Sequence, residues 1–592
     1  MSKLTTPQLE AVNHDGHLLI VAGPGSGKTS TSIAKARRIL RDPDRSLVMV
    51  TFTKEAAEEM RKRLLTALSA ANLRAPDESR VLIGTFHSIA LRHLKRDGLT
   101  KKLLGPQAQD FLYRDAAFAC NVDKDDWADV QKGFEQVMYA ADPDSVDVSS
   151  LTHRVVAHYR KLVAATGNID LYTVMRDVAL RATDGSLAPL PYTDMLVDEG
   201  QDTDGLQRMW IFAHARAGCR VTIVGDDDQS IYEWRNALGY EGMKSFLDTF
   251  QARRIELGDN FRCRSEVLTP AVTLISRNQK RLVKHLVAKR ASGGCMAAFM
   301  AGAKQNEMVG DLMEALPEKH TNAAVLARTN RSLDALEIVL RGRGISYTRL
   351  GKSIWEQSAI AGYLGLLQTL LDGSPAGMLS VLQLRNIDPS TRHELLDVHR
   401  GNVASFLDGT VPDLGSATAA DKSTLQAIAK DLSYWRRQLR AGGSHAGGSV
   451  REVVLEVAQV YGSWTRNDHH KYLLSLCSEI LANRLKGTLS ARLQTVQRKQ
   501  RDEAAKITLM TMHGAKGLEF ETVHIIDANK VEDGSTLLHP EAERRLMYVA
   551  MTRAKNCAVL WVSSTAHTNI AEADLQVRAN WKELLASVSA SG

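Results

Sequence analysis

Short apolar runs, each followed by polar or glycine-bearing residues, recur along the chain and predict buried strands of parallel sheets. They are Leu18–Ala22, Leu47–Phe52, Met195–Val197, Val221–Val224, Ala323–Ala327, Ile507–Met510, Val523–Ile526 and Ala558–Val562. Between them, longer stretches such as Lys54–Leu68 and Ser332–Arg341 carry apolar residues at helical spacing. This alternation predicts an α/β fold with sites at the carboxyl ends of the strands.

The predicted strands form two groups, and each group is interrupted by a helix-rich stretch. A chain of 592 residues is also longer than one hydrophobic core usually supports. We therefore predict two α/β cores with mainly helical insertions. The first core comprises 1–90 and 168–258 with an insertion at 91–167, and the second comprises 259–354 and 506–592 with a reduced insertion at 355–505.

Composition excludes several classes of protein. The apolar fraction of 44% and the charged fraction of 24% are ordinary for a globular chain, and no apolar run is long enough to span a bilayer. The N-terminus lacks the pattern of a secretory signal, so we expect an intracellular protein without a membrane partner. The six cysteines lie far apart without a CxxC pair, which argues against a zinc site and a disulfide framework and predicts reduced thiols.

The net charge of +7 is too small to indicate a partner by itself. Basic residues do cluster in one segment, at Lys280, Arg281, Lys284, Lys289 and Arg290. Such a run is typical either of a nucleic-acid contact or of a solvated helix face, and the sequence leaves both interpretations open.

A glycine-rich segment follows the first predicted strand and precedes a helical pattern, which is the context of a phosphate-binding loop. It consists of Ala22, Gly23, Pro24, Gly25, Ser26, Gly27, Lys28, Thr29 and Ser30. In such a loop the backbone N–H groups surround the phosphates of ATP, Lys28 meets the β- and γ-phosphate charge, and the Thr29 hydroxyl ligates Mg²⁺. The segment predicts ATP and Mg²⁺ as cofactors.

Two adjacent acids, Asp198 and Glu199, end the predicted strand Met195–Val197. A phosphate-binding loop requires a second strand with a carboxylate to hold the metal ion and to orient water. We expect Asp198 to hold Mg²⁺ and Glu199 to polarise the attacking water. Adjacent acids alone are more often a solvated turn, but the upstream loop favours the catalytic interpretation.

Further motifs follow in a fixed order along the chain. They are Leu4–Val12 with Gln8, Thr51–Ala57, Gly84–Ser88, Val224–Arg235, Asn260–Arg262, Ala327–Arg331, Thr511–Glu519 and Glu543–Arg553. This order of motifs resembles that of the UvrD/Rep-like helicases of superfamily 1. The resemblance covers nearly the whole chain except the second insertion, and it implies that the two cores are RecA-like motor domains.

The resemblance implies roles in nucleotide binding for residues beyond the phosphate loop. Gln8 would read the adenine edge, and Phe261 would stack on adenine where the family usually has tyrosine. Gln229 would sense the γ-phosphate, and Glu519 would touch the ribose. Arg262 and Arg553 would bring positive charge to the γ-phosphate from the second core.

The resemblance also implies a track for single-stranded DNA and for junctions of single- and double-stranded DNA. The residues that would contact DNA are Phe52, Thr53, Thr85, His87, Tyr232, Trp234, Arg235, Arg328, Asn330 and His513. Aromatic side chains stack on bases of any identity, so we expect sequence-tolerant binding.

The resemblance implies an ATP-dependent DNA helicase that moves 3′ to 5′ on single-stranded DNA and unwinds duplex DNA in repair, replication or recombination. The reduced second insertion favours an alternative, a DNA-stimulated ATPase subunit that works with a nuclease partner and unwinds little alone. A catalytically inactive scaffold is a third possibility. The intact set Lys28, Asp198, Glu199, Gln229, Arg262 and Arg553 argues against it.

Overall fold

The structure is a computed structural model, and it describes residues 4–71, 80–123, 126–140, 142–301, 304–315, 322–351, 353–397, 403–441, 447–465, 467–497, 506–528, 540–562 and 572–578. These residues divide into two compact units. The first unit holds residues up to Gly294 together with 540–552 and 572–574. The second begins at Cys295 and includes 553–562 and 575–578.

A parallel sheet of six strands forms the centre of the first unit, in the order β3-β2-β4-β5-β1-β6. Its strands are β1 (Leu18–Ala22), β2 (Leu47–Thr51), β3 (Val81–Thr85), β4 (Asp194–Val197), β5 (Arg220–Gly225) and β6 (Arg253–Leu257). A separate parallel pair is formed by β7 (Asp259–Asn260) and β8 (Val287–Ala288). The carboxyl ends of the six strands share one edge, which is where loops of α/β folds carry sites.

The first unit also contains helices, some of which cover both faces of this sheet. They are α1 (Thr6–Asn13), α2 (Lys28–Arg41), α3 (Lys54–Ser69), α4 (Phe86–Arg96), α5 (Pro106–Ala119), α6 (Trp127–Tyr139), α7 (Ser150–Ala165), α8 (Leu171–Asp184), α9 (Gly205–Arg216), α10 (Gly239–Phe250) and α11 (Ser265–Ile275). Alternate residues of β1 enter different cores: Leu18 and Ile20 pack with α2 and α3, whereas Leu19 and Val21 pack with α4, α8 and α9. A strand buried on both faces explains the continuous apolar runs of the sequence.

The first insertion has a hydrophobic core of its own, formed by α5, α6 and α7. Its centre is aromatic, because the Phe134 ring lies 4.8 Å from the Tyr113 ring and 5.0 Å from the Tyr159 ring, between centroids. These contacts fix the three helices as a small bundle.

The second unit is built on a parallel sheet of seven strands in the order β11-β12-β10-β13-β14-β9-β15. Its strands are β9 (Cys295–Met300), β10 (Ala323–Ala327), β11 (Thr348–Arg349), β12 (Ile507–Thr511), β13 (Phe520–Ile525), β14 (Ala554–Val562) and β15 (Val577–Arg578). Helices α12 (Gln305–Ala315) and α13 (Asn330–Gly342) belong to the same unit. The fold is therefore α/β with two large parallel sheets, as the sequence predicted.

Helices also make up the second insertion. They are α14 (Ser358–Asp372), α15 (Pro375–Leu384), α16 (Pro389–Asp397), α17 (Ala404–Leu407), α18 (Ala419–Ala441), α19 (Gly447–Ser463), α20 (Asp468–Glu479) and α21 (Leu489–Gln497), with a π-helical turn at Ile480–Arg484. A single core connects them, and Ile338 of α13 joins it. A further helix, α22 (Pro540–Met551), follows in the chain but belongs to the first unit.

Two features differ from what the sequence indicated. A disulfide joins Cys295 and Cys557, so the expectation that all six cysteines are thiols is wrong. The two residues are register partners on the neighbouring strands β9 and β14, with 4.6 Å between their Cα atoms, which their separation in the sequence could not reveal. The compact units also assign 259–294 to the first unit, whereas the predicted domains, which stay a prediction, put this segment in the second core.

No helix within the described residues is both long enough and apolar enough to cross a bilayer.

Candidate nucleotide and DNA sites

The phosphate-binding loop leaves β1 at Ala22 and enters α2 at Lys28. Gly25 and Gly27 adopt left-handed backbone angles, with φ of +63° and +80°, that residues with a Cβ rarely adopt. A Cβ on Gly27 would also lie 2.6 Å from Nε2 of Gln8. The glycines thus allow the tight turn that leaves the first backbone N–H groups of α2 available to an anion.

The two acids after β4 lie beside this loop. The Lys28 Nζ atom is 3.5 Å from Oε2 of Glu199, and the Gln201 amide donates a hydrogen bond of 2.6 Å to the same carboxylate oxygen. Glu199 has a φ of +51°, an uncommon conformation for a residue with a side chain and one that is often found at functional sites. The structure brings Lys28 and Glu199 together, and their catalytic roles stay predictions.

Asp198 is buried, and its Oδ1 atom has no hydrogen-bond partner within the described residues. Burial, reinforced by the negative charge of Glu199 and opposed by Lys28, raises the pKa of Asp198 to about 7. A divalent cation held by this carboxylate and by the Thr29 hydroxyl would lower that pKa and keep Asp198 ionised. A buried carboxylate oxygen that lacks a partner fits a metal ligand.

Gln229 is linked to these acids by a chain of hydrogen bonds. Its amide donates to Oδ2 of Asp226 at 2.5 Å, and the backbone N–H of Asp226 donates to Oε1 of Gln201 at 2.9 Å. Gln201 in turn holds Glu199. The end of β5 is thereby connected to the end of β4, its neighbour in the sheet.

The adenine-side candidates pack around the same loop. Gln8 is buried, accepts a hydrogen bond from the Thr5 backbone N–H at 2.9 Å and donates one to the Ser26 carbonyl at 3.0 Å. Phe261 is 47% exposed, and its backbone N–H donates to the Gly25 carbonyl at 3.0 Å. A cavity of about 240 Å³ opens beside Ser26.

The two arginine candidates belong to different compact units. Arg262 lies in the first unit, where its Cβ would be 2.5 Å from a Cβ on Gly25 and its guanidinium donates to the Thr552 carbonyl at 3.4 Å. The predicted domains, which stay a prediction, put Arg262 in the second core. In the structure the neighbouring Asn260 amide donates to the Pro24 carbonyl at 2.6 Å and so attaches the segment to the loop.

Arg553 and Glu519 lie close together in the second unit. Arg553 is buried and donates to the Leu518 carbonyl at 3.3 Å, and its own carbonyl accepts from the Phe520 backbone N–H at 2.9 Å. The Lys555 Nζ atom is 3.0 Å from Oε1 of Glu519. The fold therefore brings together two motifs that the sequence separates by more than thirty residues.

The DNA candidates of the first unit follow strands that are neighbours in the sheet. Thr53 and Thr85 come after β2 and β3 and cap α3 and α4, each accepting a hydrogen bond from a backbone N–H. Phe52 packs against Phe86 with 5.3 Å between ring centroids. His87 is largely buried, and burial lowers its pKa.

A second group of DNA candidates follows β5. Trp234 is 45% exposed, the Arg235 guanidinium lies 4.4 Å from the centre of its ring, and the Tyr232 ring lies 6.4 Å away. An exposed indole covered by a guanidinium offers a flat stacking surface together with a positive charge.

The second unit repeats the arrangement on its own sheet. Arg328 and Asn330 follow β10, and His513 follows the adjacent strand β12. The Met512 backbone N–H donates to the Ala327 carbonyl at 2.8 Å, which brings the two loops together. Each unit thus carries its DNA candidates at the carboxyl edge of a parallel sheet.

Comparison with known sequences fits this geometry. A profile of the UvrD/REP helicase N-terminal domain matches residues 4–172 and 189–251, and a profile of the UvrD-like helicase C-terminal domain matches residues 423–567. Together the two matches cover more than half of the chain. The protein belongs to the UvrD/Rep helicase family.

Relatives within the UvrD/Rep family match along nearly the whole chain. The ATP-dependent DNA helicase PcrA of Staphylococcus epidermidis is 25% identical over 95% of this chain and 84% of its own. The PcrA of Staphylococcus aureus is 25% identical over 95% and 83%, and DNA helicase II of Escherichia coli is 26% identical over 95% and 85%.

The basic run at 280–290 is the feature of this UvrD/Rep chain that the sequence described least well. It is neither a solvated helix face nor a row of free cations, because the segment is largely irregular and each of its five basic residues has a protein partner. Lys284 and Arg281 are buried against the acids after β5. Nothing in the spacing of the lysines indicated a partner about 55 residues away in the chain.

Proposed function

We propose that this protein couples ATP hydrolysis to movement along single-stranded DNA in the 3′ to 5′ direction and thereby unwinds duplex DNA. One observation carries the proposal. An unbroken chain of contacts runs from Lys28 and Glu199 through Gln201 and Asp226 to Gln229. Three residues further along, the aromatic pair of the half-buried Tyr232 and the exposed Trp234 begins.

ATP binding is assigned to the loop between β1 and α2. The backbone N–H groups at the start of α2 and the Lys28 ammonium neutralise phosphate charge, while Gln8 and Phe261 flank the base. Thr29 and Asp198 would hold Mg²⁺, which would supply Lewis-acid polarisation of the phosphate oxygens. Arg262 and Arg553 add positive charge as the γ-phosphate leaves, and Glu519 contacts the ribose.

Glu199 is assigned the role of general base. Its carboxylate is oriented by Gln201 and paired with Lys28, and we assign it to accept a proton from the attacking water. Gln229 sits one hydrogen bond from Asp226 and is assigned to the γ-phosphate. Loss of that phosphate then changes what Gln229 contacts, and the change reaches Tyr232, Trp234 and Arg235 along a short segment.

DNA is assigned to the carboxyl edges of the two sheets. Bases stack on Trp234 and Phe52, whereas Thr53, Thr85 and Arg235 contact the backbone or its flanks. In the second unit Arg328, Asn330 and His513 offer polar contacts. Alternate tightening and release of these two groups during each ATP cycle moves the strand, and the 3′ to 5′ direction is carried over from the resemblance to UvrD/Rep helicases.

The experiment compares ATP hydrolysis with strand displacement on three labelled duplexes, with a 3′ tail, a 5′ tail or blunt ends. We expect single-stranded DNA to stimulate hydrolysis and only the 3′-tailed duplex to be displaced, with Lys28→Ala as the inactive control. Strong stimulation without displacement would favour the alternative, an ATPase subunit that works with a nuclease. Hydrolysis that does not respond to DNA would refute both.

A further inference from the structure

Three consecutive aspartates, Asp226, Asp227 and Asp228, follow β5 and are almost completely buried. Carboxylate oxygens of the three lie within 4.8 Å of one another. Buried carboxylates at this spacing repel strongly unless a cation neutralises them. In this protein the cation is a side chain.

Lys284 occupies the centre of the three carboxylates. Its Nζ atom lies 2.9 Å from Asp226, 2.8 Å from Asp227 and 2.7 Å from Asp228, and its side chain is fully buried. The ammonium donates a hydrogen bond to Asp227 at 2.8 Å and a longer one to the Leu282 carbonyl at 3.4 Å, in addition to its ion pairs with Asp226 and Asp228. Arg281 completes the cluster with a bidentate pair to Asp228, at 3.0 and 2.6 Å.

Burial and the contacts within this cluster shift the pKa values of its members. Although burial alone would favour neutral Lys284, the three carboxylates raise its pKa above the ordinary lysine value. Burial raises the pKa of Asp227. In the case of Asp228, burial is outweighed by Lys284 and Arg281, which lower its pKa. The ammonium therefore remains charged at neutral pH.

Asp226 connects Lys284 to the candidate γ-phosphate sensor. One of its carboxylate oxygens faces Lys284, and the other accepts the hydrogen bond from the Gln229 amide. A carboxylate fixed on one side by an ammonium can only accept on the other, so it selects the NH₂ end of the Gln229 carboxamide and repels the oxygen end. Lys284 is thereby placed two contacts away from Gln229, on the opposite side of Asp226.

We propose that Lys284 is a positioning residue for ATP hydrolysis, which holds Asp226 so that the Gln229 carboxamide keeps the orientation needed at the γ-phosphate. The proposal rests on the proposed function and adds to it a residue outside the sequence motifs. It accounts for a buried lysine in a segment whose other two lysines, Lys280 and Lys289, are exposed.

The first test is kinetic. Lys284→Met should lower the DNA-stimulated kcat for ATP hydrolysis about 10- to 100-fold, the usual effect of losing a supporting contact behind a reacting group. The KM for ATP should change less than about threefold, because the phosphate-binding loop is unchanged. Lys280→Met removes the same charge four residues away and should leave both constants unchanged.

A double-mutant cycle separates positioning from folding. In a Gln229→Ala background, adding Lys284→Met should reduce kcat by less than about twofold, because the side chain that Lys284 orients is already absent. An equal reduction in both backgrounds would overturn the proposal. The double variant with Lys284→Met and Asp227→Asn keeps the net charge of the cluster. It should have the melting temperature of the wild type and the same kinetic defect as Lys284→Met.

A spectroscopic measurement tests the contact without relying on turnover. The side-chain NH₂ signal of Gln229 in glutamine-labelled protein, assigned by its loss in Gln229→Ala, should shift in Lys284→Met and stay in place in Lys280→Met. An unshifted signal would overturn the positioning role. If DNA does not stimulate ATP hydrolysis by the wild type but the Gln229 signal shifts in Lys284→Met, the proposed function is wrong. The positioning of Gln229 by Lys284 is then still supported.

Discussion

Glu199 combines three unusual properties in one residue. Its backbone is left-handed, with a φ of +51°, its carboxylate is held by Gln201, and Lys28 lies 3.5 Å away. A strained backbone of this kind costs on the order of 1–3 kcal/mol and persists only when its surroundings impose it. The hydrogen bond from Gln201 and the charge of Lys28 supply that constraint.

At the scale of this residue we predict the effect of Glu199→Gln. The change keeps the size of the side chain but removes its basicity, so ATP hydrolysis should fall at least about 100-fold, the lower end of what a general base contributes. Binding of a fluorescent ATP analogue and of labelled single-stranded DNA should be preserved within about threefold.

Glu59→Gln is the matched control for that variant, because Glu59 is an exposed carboxylate of α3 that pairs with Arg63 on the same helix. Its hydrolysis rate should equal that of the wild type. Normal turnover by Glu199→Gln would remove Glu199 from the reaction and leave Lys28 without its catalytic partner.

At the scale of elements, α14 and α15 pack more closely than side chains would permit. A Cβ built on Gly377 of α15 would lie 2.1 Å from the carbonyl carbon of Gly365 in α14. That neighbour is backbone and cannot rotate away. The close contact of the two helices in the second insertion therefore depends on glycine at this position.

Gly377→Ala should accordingly separate the two helices and destabilise the insertion by about 1–3 kcal/mol, as overpacking of a core does. Hydrogen exchange followed by mass spectrometry should show faster exchange in peptides from α14 and α15 and unchanged exchange in β1. Gly462→Ala is the control, since a Cβ there has its nearest neighbour at 3.8 Å. That helical substitution should leave exchange unchanged or slower.

Element type could be predicted well where a strand is buried on both faces. The runs Leu18–Ala22 and Ala323–Ala327 are strands with those bounds, because five consecutive apolar residues followed by a polar turn have few other solutions. The strand β6 (Arg253–Leu257) was missed, since its first two residues are exposed arginines. Its pairing with β1 depends on contacts about 235 residues apart.

The candidate site divides in the same way. Residues within motifs, such as Lys28 and Glu199, could be predicted because the chemistry requires them at fixed offsets from strand ends. Lys284 and the pair Cys295–Cys557 could not, because what defines them is a partner brought near by the fold. Local spacing carries no information about such contacts.

At the scale of the whole molecule, the positive charge is modest and spread over 592 residues. Electrostatic attraction to DNA must therefore come from a few local contacts rather than from a strongly basic surface. The exposed Trp234 with Arg235 above it provides both stacking and charge at one place.

We predict that single-stranded oligonucleotides of different base composition bind with Kd values within about threefold of one another, because stacking is tolerant of base identity. Affinity should fall on the order of tenfold between 50 and 200 mM salt, as expected when about three phosphates are neutralised. Fluorescence anisotropy with labelled homopolymers measures both. An affinity independent of salt, or confined to one sequence, would contradict this assignment of the DNA track.

The sharing of one ammonium by three carboxylates has an evolutionary consequence. Replacing Lys284 alone would leave buried negative charge uncompensated, and replacing one aspartate alone would weaken a contact on which its two neighbours depend. Such a cluster changes by compensated steps. Homologues that have lost the lysine at position 284 should therefore also have lost one of the three aspartates. Substitutions at these positions should be correlated.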